Sequence, residues 1–128
     1  TILFGHSRDA IAAADVVLVA SGTATLEAAL YRKPMVIAYK MAASSWKLMS
    51  RMRYQDWVGL PNIVAGRFIV PELLQDEATP ENMAQAVLNE LADRPVRDRL
   101  QAEFERIHLQ LRCDAANRAA DAVVECLK

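Results

Sequence analysis

Continuous apolar runs and amphipathic stretches alternate along the chain, and each predicts its own kind of element. "DVVLVA" (Asp15 to Ala20) and "PMVIAY" (Pro34 to Tyr39) are β-branched or apolar throughout, the signature of strands covered on both faces. Between them Thr23 to Arg32 has helical character and is stopped by Pro34. Strand, helix and strand in that order predict a right-handed βαβ unit of a parallel sheet. Ahead of it, "ILF" (Ile2 to Phe4) is a short strand candidate. "SRDAIAAA" (Ser7 to Ala14) reads as a helix with Ser7 at its N-cap.

Beyond Tyr39 the pattern changes. Ser44 to Tyr54 predicts a helix in which Trp46, Leu48, Met49 and Met52 are apolar and Lys47 and Arg51 lie one turn apart. Val58 to Gln75 is rich in turn residues, with "FIV" (Phe68 to Val70) as a last short strand. "TPENMAQAVLNELAD" predicts a helix capped by Thr79, with Pro80 at its first position and Glu81 in its first turn. Two more helices follow, over "PVRDRLQAEFERIHLQLRC" and "AANRAADAVVECLK". The fold class is α/β: part of a doubly wound, Rossmann-like parallel sheet with a helical C-terminal end. Residues 1–75 carry the βαβ core and turn-rich segment, and 76–128 the helices.

Composition narrows the function classes. The 128 residues suffice for one domain, and a net charge of −1 provides no global field for nucleic acid. The charge is polarised, however. No acid falls between Glu27 and Asp56, where Arg32, Lys33, Lys40, Lys47, Arg51 and Arg53 are all basic. Such polarity suits a face turned to something anionic. Cys113 and Cys126 are far apart and lack metal-ligand neighbours, so they predict helix-packing thiols in a reducing cytoplasm, with no metal site. His108 reads as a surface or packing residue. No apolar run reaches the roughly 18 residues a bilayer span needs. The chain opens on "TILFG" without an initiator methionine, as expected of a piece of a longer protein.

The candidate chemistry lies in "VASGTATLEA" (Val19 to Ala28), at the junction of a strand and a helix. Ligands of open parallel sheets sit outside the carboxyl ends of the strands. A helix start offers free backbone N–H groups and a favourable dipole to an anion. Gly22 permits close approach, and Ser21, Thr23 and Thr25 supply hydroxyls that suit a diphosphate. A capping box from Thr23 needs its glutamate at position 26, which is Leu26, so Glu27 is free to accept from a ribose diol. An ordinary strand-to-helix turn explains the same residues, and the two readings stand side by side. Further on, Arg67 suits either a diphosphate or a solvated turn. Asn62 after Pro61 is by itself an Asx turn.

Three longer stretches carry a resemblance: "ASGTATLEAALYRKPMVIAYKM", "VGLPNIVAGRFIVPELLQ" and "IHLQLRCDAANRAADAVVE". In order and spacing they resemble the C-terminal part of lipid-A-disaccharide synthases, glycosyltransferases of the GT-B type. "SGTATLE" recurs in related nucleotide-sugar enzymes; "LPN…AGR" followed by "LRC…AADAV" is more particular to this family. The resemblance implies donor binding in a reaction of UDP-2,3-diacylglucosamine with 2,3-diacylglucosamine 1-phosphate, releasing UDP, without cofactor or metal. It implies that Ser21, Gly22, Thr23, Thr25 and Arg67 hold the diphosphate, Glu27 the ribose, and that Asn62 supports catalysis near the donor. The family's "GSR" phosphate loop and N-terminal domain with the catalytic base would precede Thr1. "GHSR" (Gly5 to Arg8) instead belongs to the connection near the uracil, where a backbone contact is open to it.

Lipid substrates bring the basic segment into view. Trp46 beside Lys47 and Arg51 resembles an interfacial amphipathic helix, although a core-packed helix with a solvated basic face has the same pattern. The expected location is cytoplasmic, peripheral to the inner membrane of a Gram-negative bacterium. An unpaired sheet edge also leaves room for a homodimer. Two alternatives remain: another GT-B enzyme using UDP-GlcNAc (a peptidoglycan glycosyltransferase or 2-epimerase), and a non-catalytic α/β interaction domain.

Overall fold

The computed structural model describes residues 1–20, 22–52 and 56–127. Its centre is a three-stranded, all-parallel sheet in the order β1 (Val17–Val19), β2 (Met35–Tyr39), β3 (Glu72–Leu74). The helices are α1 (Ser7–Ala13), α2 (Thr23–Leu30), α3 (Ala43–Met52), α4 (Leu60–Ala65), α5 (Pro80–Ala92), α6 (Arg94–Leu111) and α7 (Ala115–Cys126). The expected βαβ unit is β1–α2–β2. Ser21 and the predicted helix end at Tyr54 lie outside the described residues.

In-register pairs assign the faces of the sheet. Val17 pairs with Met35 and Val19 with Ile37, so these four share one face. There Met35 and Ile37 meet Ala28 and Ala29 of α2, together with Val70 and the Leu100, Phe104 and Ile107 stripe of α6. Positions 100, 104 and 107 are spaced i, i+4, i+7, which puts all three on one side of α6. Val36 points the other way and is also fully buried, and α5 packs against β1 and β2. Both faces of β2 are therefore covered, as its unbroken apolar run requires.

Helix ends follow local chemistry. The side chain of Thr79 accepts from the Asn82 N–H at 3.2 Å, and that of Asp93 from the Val96 N–H at 3.0 Å. α2 ends with the Arg32 N–H bonded to the Ala29 carbonyl at 2.8 Å and the Lys33 N–H to Ala28 at 3.0 Å. Arg32 takes the left-handed conformation (φ 55°) where glycine is usual.

Several expectations are corrected. Ile2 to Phe4 is not a strand: its side chains are exposed, and no described strand lies beside it to complete a ladder. The N-cap of α1 is His6 rather than Ser7. "FIV" precedes the last strand, which forms at Glu72–Leu74, where Glu72 pairs with Ile37. Inside the turn-rich segment lies α4, with Pro61 in its first turn and Gly66 (φ 65°) closing it. Cys113 and Cys126 are exposed free thiols, not packing residues.

Glu90 is a buried charge-bearing group with a pH consequence. One of its carboxylate oxygens is buried with no hydrogen-bond partner among the described residues. Burial, and then the charge of Asp93, push its pKa upward. The folded state therefore holds this proton to a higher pH than the unfolded chain. Stability falls as pH rises from the ordinary carboxylate range through the raised value. Glu90→Gln removes that titration. Thermal melts should show the variant gaining on the wild type as pH rises above the ordinary carboxylate range; a gap that does not change with pH would contradict the assignment.

Candidate functional site

The start of α2 lies at the carboxyl end of β1. Gly22 is its N-cap residue, at φ 131° and ψ −163°, a region that is essentially closed to other residues. A Cβ there would meet nothing within 4 Å, so backbone conformation, and not space, demands the glycine. Among the described residues no side chain caps this start, and its first turn contains no acid. The first N–H groups are thus left to an external acceptor, in the favourable field of the helix dipole. Thr23 is exposed beside them.

Thr25 does not join them. It is fully buried, and its hydroxyl donates to the Gly22 carbonyl at 2.7 Å. Its hydroxyl is turned inward onto the turn at Gly22 rather than outward beside Thr23. Glu27 is half-buried one turn further on, and helical side chains lean back toward the N-terminus. It opens on a hollow of about 400 Å³ that Arg8, Leu30 and Tyr31 also line. Arg8 enters because α1 packs against α2. Sequence position offers no sign of that proximity.

The other expected residues lie elsewhere. Asn62 is fully buried in α4, and every part of its amide is engaged. Its nitrogen donates to the Val70 carbonyl at 2.9 Å and to Glu72 Oε1 at 2.7 Å. Its oxygen accepts from the Ile69 N–H at 2.7 Å and the Val70 N–H at 2.9 Å. It makes no Asx turn, and its side chain faces the interior. Arg67 follows α4 and is ion-paired with Glu103 of α6. Glu105 of the same helix pairs with Arg32, just beyond the end of α2. These pairs tie α6 to Arg67 after α4 and to Arg32 just beyond the end of α2.

α3 stands apart from the core. Of its residues 43–51 only Trp46 is half-buried; the rest are exposed, including Leu48 at 63% and Met49 at 38%. Among the described side chains of α3, none is fully buried. Lys47 and Arg51 are exposed and no acid accompanies them.

Comparison with known proteins places this geometry. Residues 1–124 match the family model of lipid-A-disaccharide synthetase. The chain is 60% identical over 126 residues to the lipid-A-disaccharide synthase of Dechloromonas aromatica (strain RCB), covering 98% of this chain and 33% of that protein. Against the synthase of Methylobacillus flagellatus it is 50% identical over 128 residues, 100% of this chain and 34% of the relative. Against that of Cupriavidus pinatubonensis it is 54% identical over 128 residues, again the whole chain and 32% of the relative. The chain belongs to the lipid-A-disaccharide synthase family. It spans about a third of the length of these relatives.

Proposed function

We propose that this chain is the donor-binding part of a glycosyltransferase that moves 2,3-diacylglucosamine from UDP to 2,3-diacylglucosamine 1-phosphate. In that reaction an acceptor hydroxyl gives its proton to a base on the part of the enzyme outside this chain and forms a bond to the donor sugar's anomeric carbon. The bond from that carbon to the diphosphate breaks, and UDP leaves with the electron pair. One observation carries the reading: an acid-free helix start at Gly22, with no side-chain cap among the described residues, lies one turn from Glu27, whose carboxylate has no hydrogen bond or ion pair among the described residues. Ser21, Gly22 and Thr23 hold the diphosphate, whose negative charge grows as the bond breaks and is matched by the helix N-terminus. Glu27 accepts from the ribose diol. Thr25, Asn62 and Arg67 serve the scaffold of the site.

UDP titration of an isotope-labelled enzyme of the relatives' full length tests this. The amide resonances of Gly22 and Thr23 should shift, with saturation below about millimolar UDP. Unmoved resonances would remove the donor site.

The exposed face of α3 supports peripheral contact with an anionic membrane, where Trp46 and Leu48 enter the interface and Lys47 and Arg51 meet headgroups. No helix among the described residues is long and apolar enough to cross a bilayer. A basic residue near an anionic surface contributes about 1 kcal/mol, so Lys47→Glu with Arg51→Glu should weaken vesicle binding at least about tenfold. Unchanged co-sedimentation with anionic vesicles would end the membrane reading.

A further inference from the structure

Two helices begin on the same side of the sheet, and only one start is open. Val19, Ile37 and Glu72 are in register across the three strands, so their side chains share the face on which α2 lies. α4 packs against α2 on that face. The Glu72 carboxylate is turned to the start of α4. Its Oε1 accepts from the Gly59 N–H at 2.9 Å and from Asn62 at 2.7 Å, and its Oε2 accepts from the Val58 N–H at 2.9 Å. An internal carboxylate thus occupies the α4 start, while the α2 start has no such partner.

The fit at Gly59 is tight. A Cβ there would run into Ile37 Cδ1 and stand 2.9 Å from Glu72 Oε1. Gly59 is buried against Ile37 and Glu72, two members of the strand row that Val19 completes on β1. Glu72 also receives the Asn62 amide, whose oxygen binds the Ile69 and Val70 N–H groups. One carboxylate therefore ties the entry of α4 to the entry of β3.

We propose that Glu72 is a positioning residue of the donor site. It fixes Val58, Gly59 and Asn62 so that the chain entering α4 forms a wall beside the α2 start, and it excludes a second anion from α4. The inference rests on the donor reading above. Glu72 is not a catalytic residue, since its three hydrogen bonds are internal and it acts through the backbone it holds.

The test uses an enzyme of the relatives' full length with Glu72→Gln, Glu72→Ala and Glu27→Ala, measuring donor KM, kcat and thermal melting with and without UDP. Glutamine retains the acceptor for Gly59 and Asn62 but sets an amide NH2 against the Val58 N–H. Alanine loses all three bonds. Donor KM should rise about threefold in Glu72→Gln and about tenfold in Glu72→Ala, with kcat of the folded fraction changed less than about twofold. UDP should raise the melting temperature of both variants less than that of the wild type. Where alanine fails to fold, glutamine decides. A folded Glu72→Gln with wild-type donor KM and full UDP protection overturns the inference. If Glu27→Ala also leaves the donor KM and kcat unchanged, the donor reading itself has failed. An impaired Glu27→Ala beside an unimpaired Glu72→Gln overturns the Glu72 role alone.

Discussion

Glu27→Ala, in an enzyme of the relatives' full length, is expected to lower kcat/KM for the UDP-sugar donor at least about tenfold, about 1.4 kcal/mol. The estimate is conservative, because hydrogen bonds to a charged group contribute about 1.5–3 kcal/mol each and a diol offers two. The melting temperature should move by less than about 3 °C, since the half-buried carboxylate has no partner to lose among the described residues. The Glu27 carboxylate has no hydrogen bond or ion pair among the described residues, and alanine is the best helix former. Loss of activity at constant stability is what separates a ligand-facing carboxylate from a helix-supporting one. Glu27→Gln, which keeps one acceptor oxygen, should fall between the two. Wild-type kinetics in Glu27→Ala would refute the ribose role. A melting temperature lowered in step with activity would instead make Glu27 part of the scaffold.

β2 was legible because its apolar run leaves no polar face, which a parallel sheet covered on both sides accommodates; β1 was legible from the same kind of run, although its Leu18 is 51% exposed and that face is not fully covered. The start of α5 was legible because Thr79 and Pro80 suit a helix start and little else. α4 was not, since six residues containing Pro61 and Asn62 have the composition of a turn. The same limit explains the site. Gly22, Thr23 and Glu27 can be picked out by residue type and spacing on one helix, and the helix keeps them together. For Thr25, Asn62 and Arg67, residue type reveals a donor or acceptor but not the direction it faces. That direction is decided by partners elsewhere: Val70 and Glu72 for Asn62, Glu103 for Arg67. Glu72 went unnoticed because an acid opening a short strand looks solvated until the register puts it in a row with Val19 and Ile37.

Asn62→Ala should therefore act on folding, and strongly. It strips partners from the Ile69 and Val70 N–H groups and from the Val70 carbonyl, and removes one of the Glu72 bonds. A buried polar group left unsatisfied costs about 1–3 kcal/mol, and the losses are shared within one network. A destabilisation of about 3 kcal/mol or more follows, about 12 °C in melting temperature at this chain length. Asn62→Asp sharpens the test. Aspartate keeps the acceptor for both N–H groups but brings a second carboxylate to within hydrogen-bond distance of Glu72 Oε1, where two negative charges cannot both persist. The pair should retain one proton to a raised pH, so Asn62→Asp is most stable in acid and loses stability as pH rises toward neutrality. Melts of both variants across that range check the argument. A donor-contacting Asn62 would leave stability intact and move only the kinetics, so a wild-type melting temperature in Asn62→Ala would return this residue to the donor.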